Sequence, residues 1–115
     1  MNTSVHANGA PIDFETHCLA IQEEGYTVFT DVLSEAEITA YRAALQPWLD
    51  RDLCGRNVFE GTRSHRVYAM LAKDPIFAEL VAHPIALTLA EHFLGESCLL
   101  SACLAIDLMP GETAQ

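Results

Sequence analysis

Residues 99–115 read LLSACLAIDLMPGETAQ, and with Cys98 before them they decide the fold. Cys98, Leu100, Ala102, Leu104, Ile106 and Leu108 point one way and are all apolar, whereas Leu99, Ser101, Cys103, Ala105, Asp107 and Met109 point the other way and are mixed. A period of two sustained over 98–109 predicts a long strand inside a sheet, its apolar face on a core and its mixed face on something more polar. The PGETAQ end reads as a turn. A long strand with unpaired edges is a liability by itself, and the remaining sequence offers only one or two short β-prone runs. The chain therefore reads as helices and a leading strand that expect a further sheet.

Upstream of that strand the signals are helical. Asp13 caps a predicted helix over 13–24 whose Phe14, Cys18 and Ile21 share a face, and Gly25 stops it. Tyr26-Thr27-Val28-Phe29 is a short β-prone run ending at Asp31. Ser34-Glu35-Ala36-Glu37 is a capping box, opening a predicted helix over 35–50 with Ile38, Tyr41, Leu45 and Trp48 at core spacing. Pro47 should kink it or start a new turn. Residues 67–72 fit a short strand or a helical turn. Asp74-Pro75 opens one helix and His83-Pro84 another over 84–94, lined by Ile85, Leu89, Ala90, Phe93 and Leu94 and ended by Gly95. Residues 1–11 read as a flexible tail, and residues 12–115 as a single domain without internal repeats.

The composition bounds the function. A chain of 115 residues, half of them hydrophobic, has material for one small core. Sixteen acidic against six basic residues leave a formal charge of -10, a surface that repels nucleic acid and anionic membranes. No apolar run approaches the ~20 residues of a membrane span. The MNTSVHANGA start lacks a signal-peptide pattern, so a cytoplasmic location is expected. Cys18, Cys54, Cys98 and Cys103 form no C-x-x-C pair and read as reduced thiols. His6, His17, His65, His83 and His92 show no metal-ligand spacing, so no metal ligands are assigned. Neither G-x-S-x-G nor a Gly-rich phosphate loop occurs, which argues against a self-contained hydrolase or lyase.

Residues 52–66, DLCGRNVFEGTRSHR, break every period. Arg56, Arg63 and Arg66 stand among Gly55, Asn57 and Gly61, and this is the most functional-looking stretch in the chain. The competing reading is a solvated loop whose arginines balance nearby acids.

The ordered set GYTVFTDVLSEAEI (25–38), NVFEGTRSHRVYAMLAK (57–73), HPIALTLAEHFLG (83–95) and LLSACLAIDLMPGETAQ (99–115) resembles the N-terminal part of the phytanoyl-CoA dioxygenase family, over roughly residues 20–115. The resemblance implies an α+β chain in which helices brace one face of a double-stranded β-helix (jelly-roll). Residues 12–115 would be the N-terminal portion of a single oxygenase domain, the barrel incomplete. It implies Fe(II) and 2-oxoglutarate as cofactors of the complete protein and a small organic or acyl molecule as substrate. In that family a His-x-Asp pair follows this strand and, with a later His, forms the iron triad. No His-x-Asp occurs in these 115 residues. The chain is thus expected to be a fragment that, alone, neither binds Fe(II) nor turns over 2-oxoglutarate, and no catalytic residue is assigned in it.

The resemblance also implies Arg66 as a contact to 2-oxoglutarate, an Arg fork being suited to a carboxylate, with Arg63, His65 and Tyr68 as substrate contacts. If this stretch is extended, Arg66 and Tyr68 share one face and His65 and Val67 the other; the bland alternative is a surface Arg66 paired with Glu60. Ser101, Cys103, Ala105 and Asp107 would look into the barrel. A different reading is a non-catalytic acidic helical interaction module, pairing or self-associating through its exposed C-terminal strand.

Overall fold

The computed structural model describes residues 6–7, 10–51 and 54–112. It divides into two compact units, Met1–Ile38 with His83–Cys98, and Thr39–Ala82 with Leu99–Gln115.

In the first unit, β1 (His6–Ala7) pairs antiparallel with β2 (Ala10–Pro11). Helix α1 (Phe14–Glu24) begins where the Asp13 carboxylate accepts the Thr16 N–H at 3.3 Å and the Thr16 hydroxyl at 2.7 Å. It ends at Gly25, whose left-handed backbone (φ 86°) lets its N–H reach the Ile21 carbonyl. Tyr26-Thr27-Val28-Phe29 forms no strand, which corrects the β-prone reading. Instead Thr27 Oγ1 meets His17 Nδ1 at 2.6 Å, and the Phe29 ring lies 3.8 Å from that of His17. Thr27 and Phe29 find α1 to pack on rather than a neighbouring strand, while Tyr26 and Val28 stay exposed, and β-propensity is satisfied only by a partner.

The capping box at Ser34 forms as read. Glu37 N–H donates to Ser34 Oγ at 3.3 Å, and Ser34 N–H donates back to Glu37 Oε2 at 2.8 Å. It starts α2 (Glu35–Leu49), within which the unit boundary falls. The helix runs through Pro47 and ends two residues later. Helix α4 (Pro84–Leu94) opens with Ile85 N–H donating to His83 Nδ1 at 3.3 Å, buries Ile85, and stops at Gly95.

The second unit holds the chain's best-covered core. Val67, Met70 and Phe77 pack together, with Tyr41, Ala44, Leu45, Trp48 and Leu49 of α2 laid on them. Val67 belongs to β3 (Ser64–Val67), Met70 to a 3-10 turn (Met70–Ala72) and Phe77 to α3 (Ile76–Val81). Asp74 starts α3 by accepting the Ile76 N–H at 2.9 Å. The Trp48 ring carries Arg51 at 4.2 Å and Lys73 at 4.6 Å from its centroid.

β3 pairs antiparallel with β4 (Ala105–Leu108), matching Ser64 with Leu108, His65 with Asp107, Arg66 with Ile106 and Val67 with Ala105. The expected strand over 98–109 is therefore four residues long. The cause lies in its partner. Past Val67 the chain turns at Ala69 (φ 51°) into the 3-10 turn, so nothing continues the ladder before Ala105. One bond, Met70 N–H to the Cys103 carbonyl at 3.1 Å, ties the preceding segment down.

The facing is also reversed. The mixed face puts Cys103 and Ala105 on the core, while Ile106 and Leu108 of the apolar face are 46% and 66% exposed. Small side chains let α2 approach the sheet closely, which bulky Ile and Leu would prevent. The α+β class stands; the described strands form two two-stranded sheets and no double-stranded β-helix. No helix of the described residues is long and apolar enough to cross a membrane.

Candidate functional site

The irregular arginine-rich stretch folds as a tight loop on the β3–β4 hairpin. Glu60 organises it with both ends of the residue. Its carboxylate accepts the Arg56 backbone N–H at 2.7 Å and the Arg56 guanidinium at 2.8 and 3.2 Å. These bonds, side chain first, pull the Glu60 carboxyl down to about 2 and hold the Arg56 proton more tightly. Its carbonyl accepts the hydroxyl of buried Ser64 at 2.6 Å and Arg66 Nε at 2.9 Å. Asn57 closes the turn by accepting the Glu60 N–H at 2.9 Å. Gly61 sits at φ 86°, where a Cβ would meet Glu112 Oε2 at 2.6 Å and Ser64 Oγ at 2.9 Å, so only glycine fits.

The four residues singled out from the sequence part company here. Arg66 lies on the sheet face turned away from α2, beside Ile106, half-buried and anchored to the Glu60 carbonyl. Arg66 does meet Glu60, as the bland reading held, but at the carbonyl; the carboxylate belongs to Arg56. Arg63 is exposed and bound to the turn after β4: its N–H donates to Glu112 Oε2 at 2.6 Å and its guanidinium reaches the Pro110 carbonyl at 3.5 Å. Tyr68 lies beyond the end of β3, exposed, close enough to Arg56 to strengthen that residue's hold on its proton. His65 faces the opposite way from Arg66, with its Nδ1 3.5 Å from Asp107 Oδ2.

That opposite face opens into a cleft of about 440 Å³, lined by Arg42, Gln46 and Asp50 along α2 and by His65 and Asp107 of the hairpin. Gln46 donates to Asp50 Oδ1 at 2.7 Å. Sequence reasoning missed the His65–Asp107 pair and the part played by Glu60. The period-two pattern carries the facing of each residue, but the register that brings residues 65 and 107 together leaves no local signal.

An iron centre needs about three converging ligands, two His and a carboxylate in the usual oxygenase set. Among the described residues no three His, Cys, Asp or Glu side chains gather into a group able to hold a metal ion. The described residues thus do not fit an iron site. The cationic Arg66, beside exposed apolar Ile106 and Leu108, is the arrangement suited to an anion. The profile of the phytanoyl-CoA dioxygenase (PhyH) family matches residues 21–112. No solved structure matches the chain.

Proposed function

Because this chain belongs to the phytanoyl-CoA dioxygenase family, we propose that it serves in the Fe(II)- and 2-oxoglutarate-dependent oxygenation of a small organic or acyl substrate. The part assigned to its own residues is the grip on the 2-oxoglutarate carboxylate, through Arg66. One observation carries this: Arg66 stands on the face of the hairpin turned away from α2, with its Nε already held at 2.9 Å by the Glu60 carbonyl. A guanidinium fixed at Nε presents its two terminal nitrogens as a planar fork, which matches a carboxylate bidentately. The flanking Ile106 and Leu108 lower the local dielectric once covered, and the pair strengthens. Exposed Arg63 and Tyr68 flank this grip as substrate contacts, whereas His65, on the other face, takes no part in it.

The test is Arg66→Ala in a form of the protein that carries the iron ligands, read by succinate formation and by Fe(II) titration. The expected result is a KM for 2-oxoglutarate raised about tenfold, equivalent to ~1.4 kcal/mol, with Fe(II) affinity unchanged. An unchanged KM would overturn the assignment.

A second reading rests on the exposure of Leu99, Ile106 and Leu108: the same strand serves as a self-association surface. Sedimentation of the 115-residue chain should then show concentration-dependent association that Leu108→Lys abolishes. A monomer at every concentration would remove this reading and leave the first untouched.

A further inference from the structure

The face of the hairpin turned away from Arg66 carries a second set of reactive groups. Cys54 bridges antiparallel to His65, and His65 stands opposite Asp107 in the β3–β4 ladder. Residues directly opposite one another in antiparallel strands share a face, with Cβ atoms about 4.5–5.5 Å apart. Cys54, His65 and Asp107 therefore stand in one row across three segments of chain. The thiol is exposed and in no disulfide, the imidazole side chain is 16% exposed, and the Asp107 carboxylate lies 3.5 Å from His65 Nδ1. A nucleophile, a base and a carboxylate that orients the base, in that order, make up the constellation of an activated thiol. The charged groups facing His65 and Asp107 are Arg42 and Asp50 of α2, which line a cleft of about 440 Å³ with them. The carboxylate grip proposed for Arg66 uses none of these residues.

We propose that Cys54 is a nucleophilic thiol, activated by His65, itself oriented by Asp107, that exchanges with low-molecular-weight disulfides and takes up a mixed disulfide. His65 accepts the thiol proton. The Cys54 sulfur attacks one sulfur of the incoming disulfide, a new S–S bond forms as the old one breaks, and the departing thiolate takes the proton back from His65. One disulfide is consumed, and one mixed disulfide and one thiol are produced; no other oxidant enters. Asp107 keeps Nδ1 turned towards itself and stabilises the transient imidazolium, the carboxylate's role in any such triad. Arg42 offers a cation to the carboxylate of a peptide-like disulfide lying in the cleft.

The experiment treats the reduced 115-residue chain with oxidised glutathione over a range of pH, and locates the adduct on each cysteine by mass spectrometry. Cys54 should react first, and its rate should rise with pH at a midpoint below that of the same chain unfolded in urea. Each unit of lowered thiol pKa yields about tenfold more thiolate, which a weaker nucleophile reduces to roughly a threefold rate gain. Accordingly, His65→Gln should slow Cys54 about threefold at pH 7 and move the midpoint up to the urea value, and Asp107→Asn should act in the same direction. Exposure alone would raise the rate but leave the midpoint unmoved. Should His65→Gln fail to fold by circular dichroism, the unsubstituted chain decides the matter. A midpoint equal to that in urea, or another cysteine reacting first, overturns the proposal.

Discussion

The two faces of the β3–β4 hairpin are built from neighbouring residues and meet opposite fates. On one, Val67 is completely buried under α2, with partly buried Ala105 and Cys103 beside it; on the other, Ile106 and Leu108 are exposed beside Arg66. The more apolar face is the one left open. Hydrophobicity alone did not choose the covered side. Steric fit did, since Trp48, Leu45 and Tyr41 fill the space that small Cys103 and Ala105 concede. The composition of the open face, apolar with one placed charge, supports the carboxylate grip proposed for Arg66.

That contrast can be broken most directly by truncation. Phe77→Ala, in the core behind the covered face, should cost about 3–5 kcal/mol, and Val67→Ala about 2 kcal/mol. Leu108→Ala on the open face should change stability by less than about 0.5 kcal/mol. Urea denaturation measures all three, and a Leu108 cost equal to that of Val67 would show both faces covered.

The caps were legible from the sequence because they are local. Asp13 with Gly25, Ser34 with Glu37, and His83 with Gly95 each declare a helix end within a few residues, and α1, α2 and α4 lie where those signals put them. The strand was not legible in the same way. Its alternation over 98–109 is real, but a strand is only as long as its neighbour, and the turn at Ala69 ends β3 at Val67. For the candidate site, alternation could put Arg66 on a face of an extended segment, and it does lie in β3. The partners that hold it could not, because a backbone carbonyl such as that of Glu60 has no sequence signature.

A smaller effect is expected at the loop that supports the open face. Gly61→Ala forces a side chain into left-handed backbone, at about 1–2 kcal/mol, and drives its Cβ against Glu112 and Ser64. The substitution should displace Arg66 with the loop, seen as increased proteolysis around residues 56–63 while the Val67 core persists. If loop and core melt together, the two faces are one cooperative structure.

Acid should act on the same loop, and most narrowly. The Glu60 carboxyl lies at about 2 in the folded chain against an ordinary 4.5, so its ionised form is favoured by folding. The stabilisation is complete above pH 4.5 and is lost as pH falls from there through about 2. Chemical shifts of Arg56 and Ser64 should follow that window and those of Phe77 should not. Glu60→Gln should abolish the transition.

The chain's single tryptophan, Trp48, has two cations near its ring and packs against the Val67–Met70–Phe77 cluster. Its emission is consequently a built-in optical gauge of the second unit. Far-ultraviolet ellipticity weighs every helix. Recorded together on one heated sample, the two signals would superimpose if the units melt as one and separate if each keeps its own transition, with no label attached.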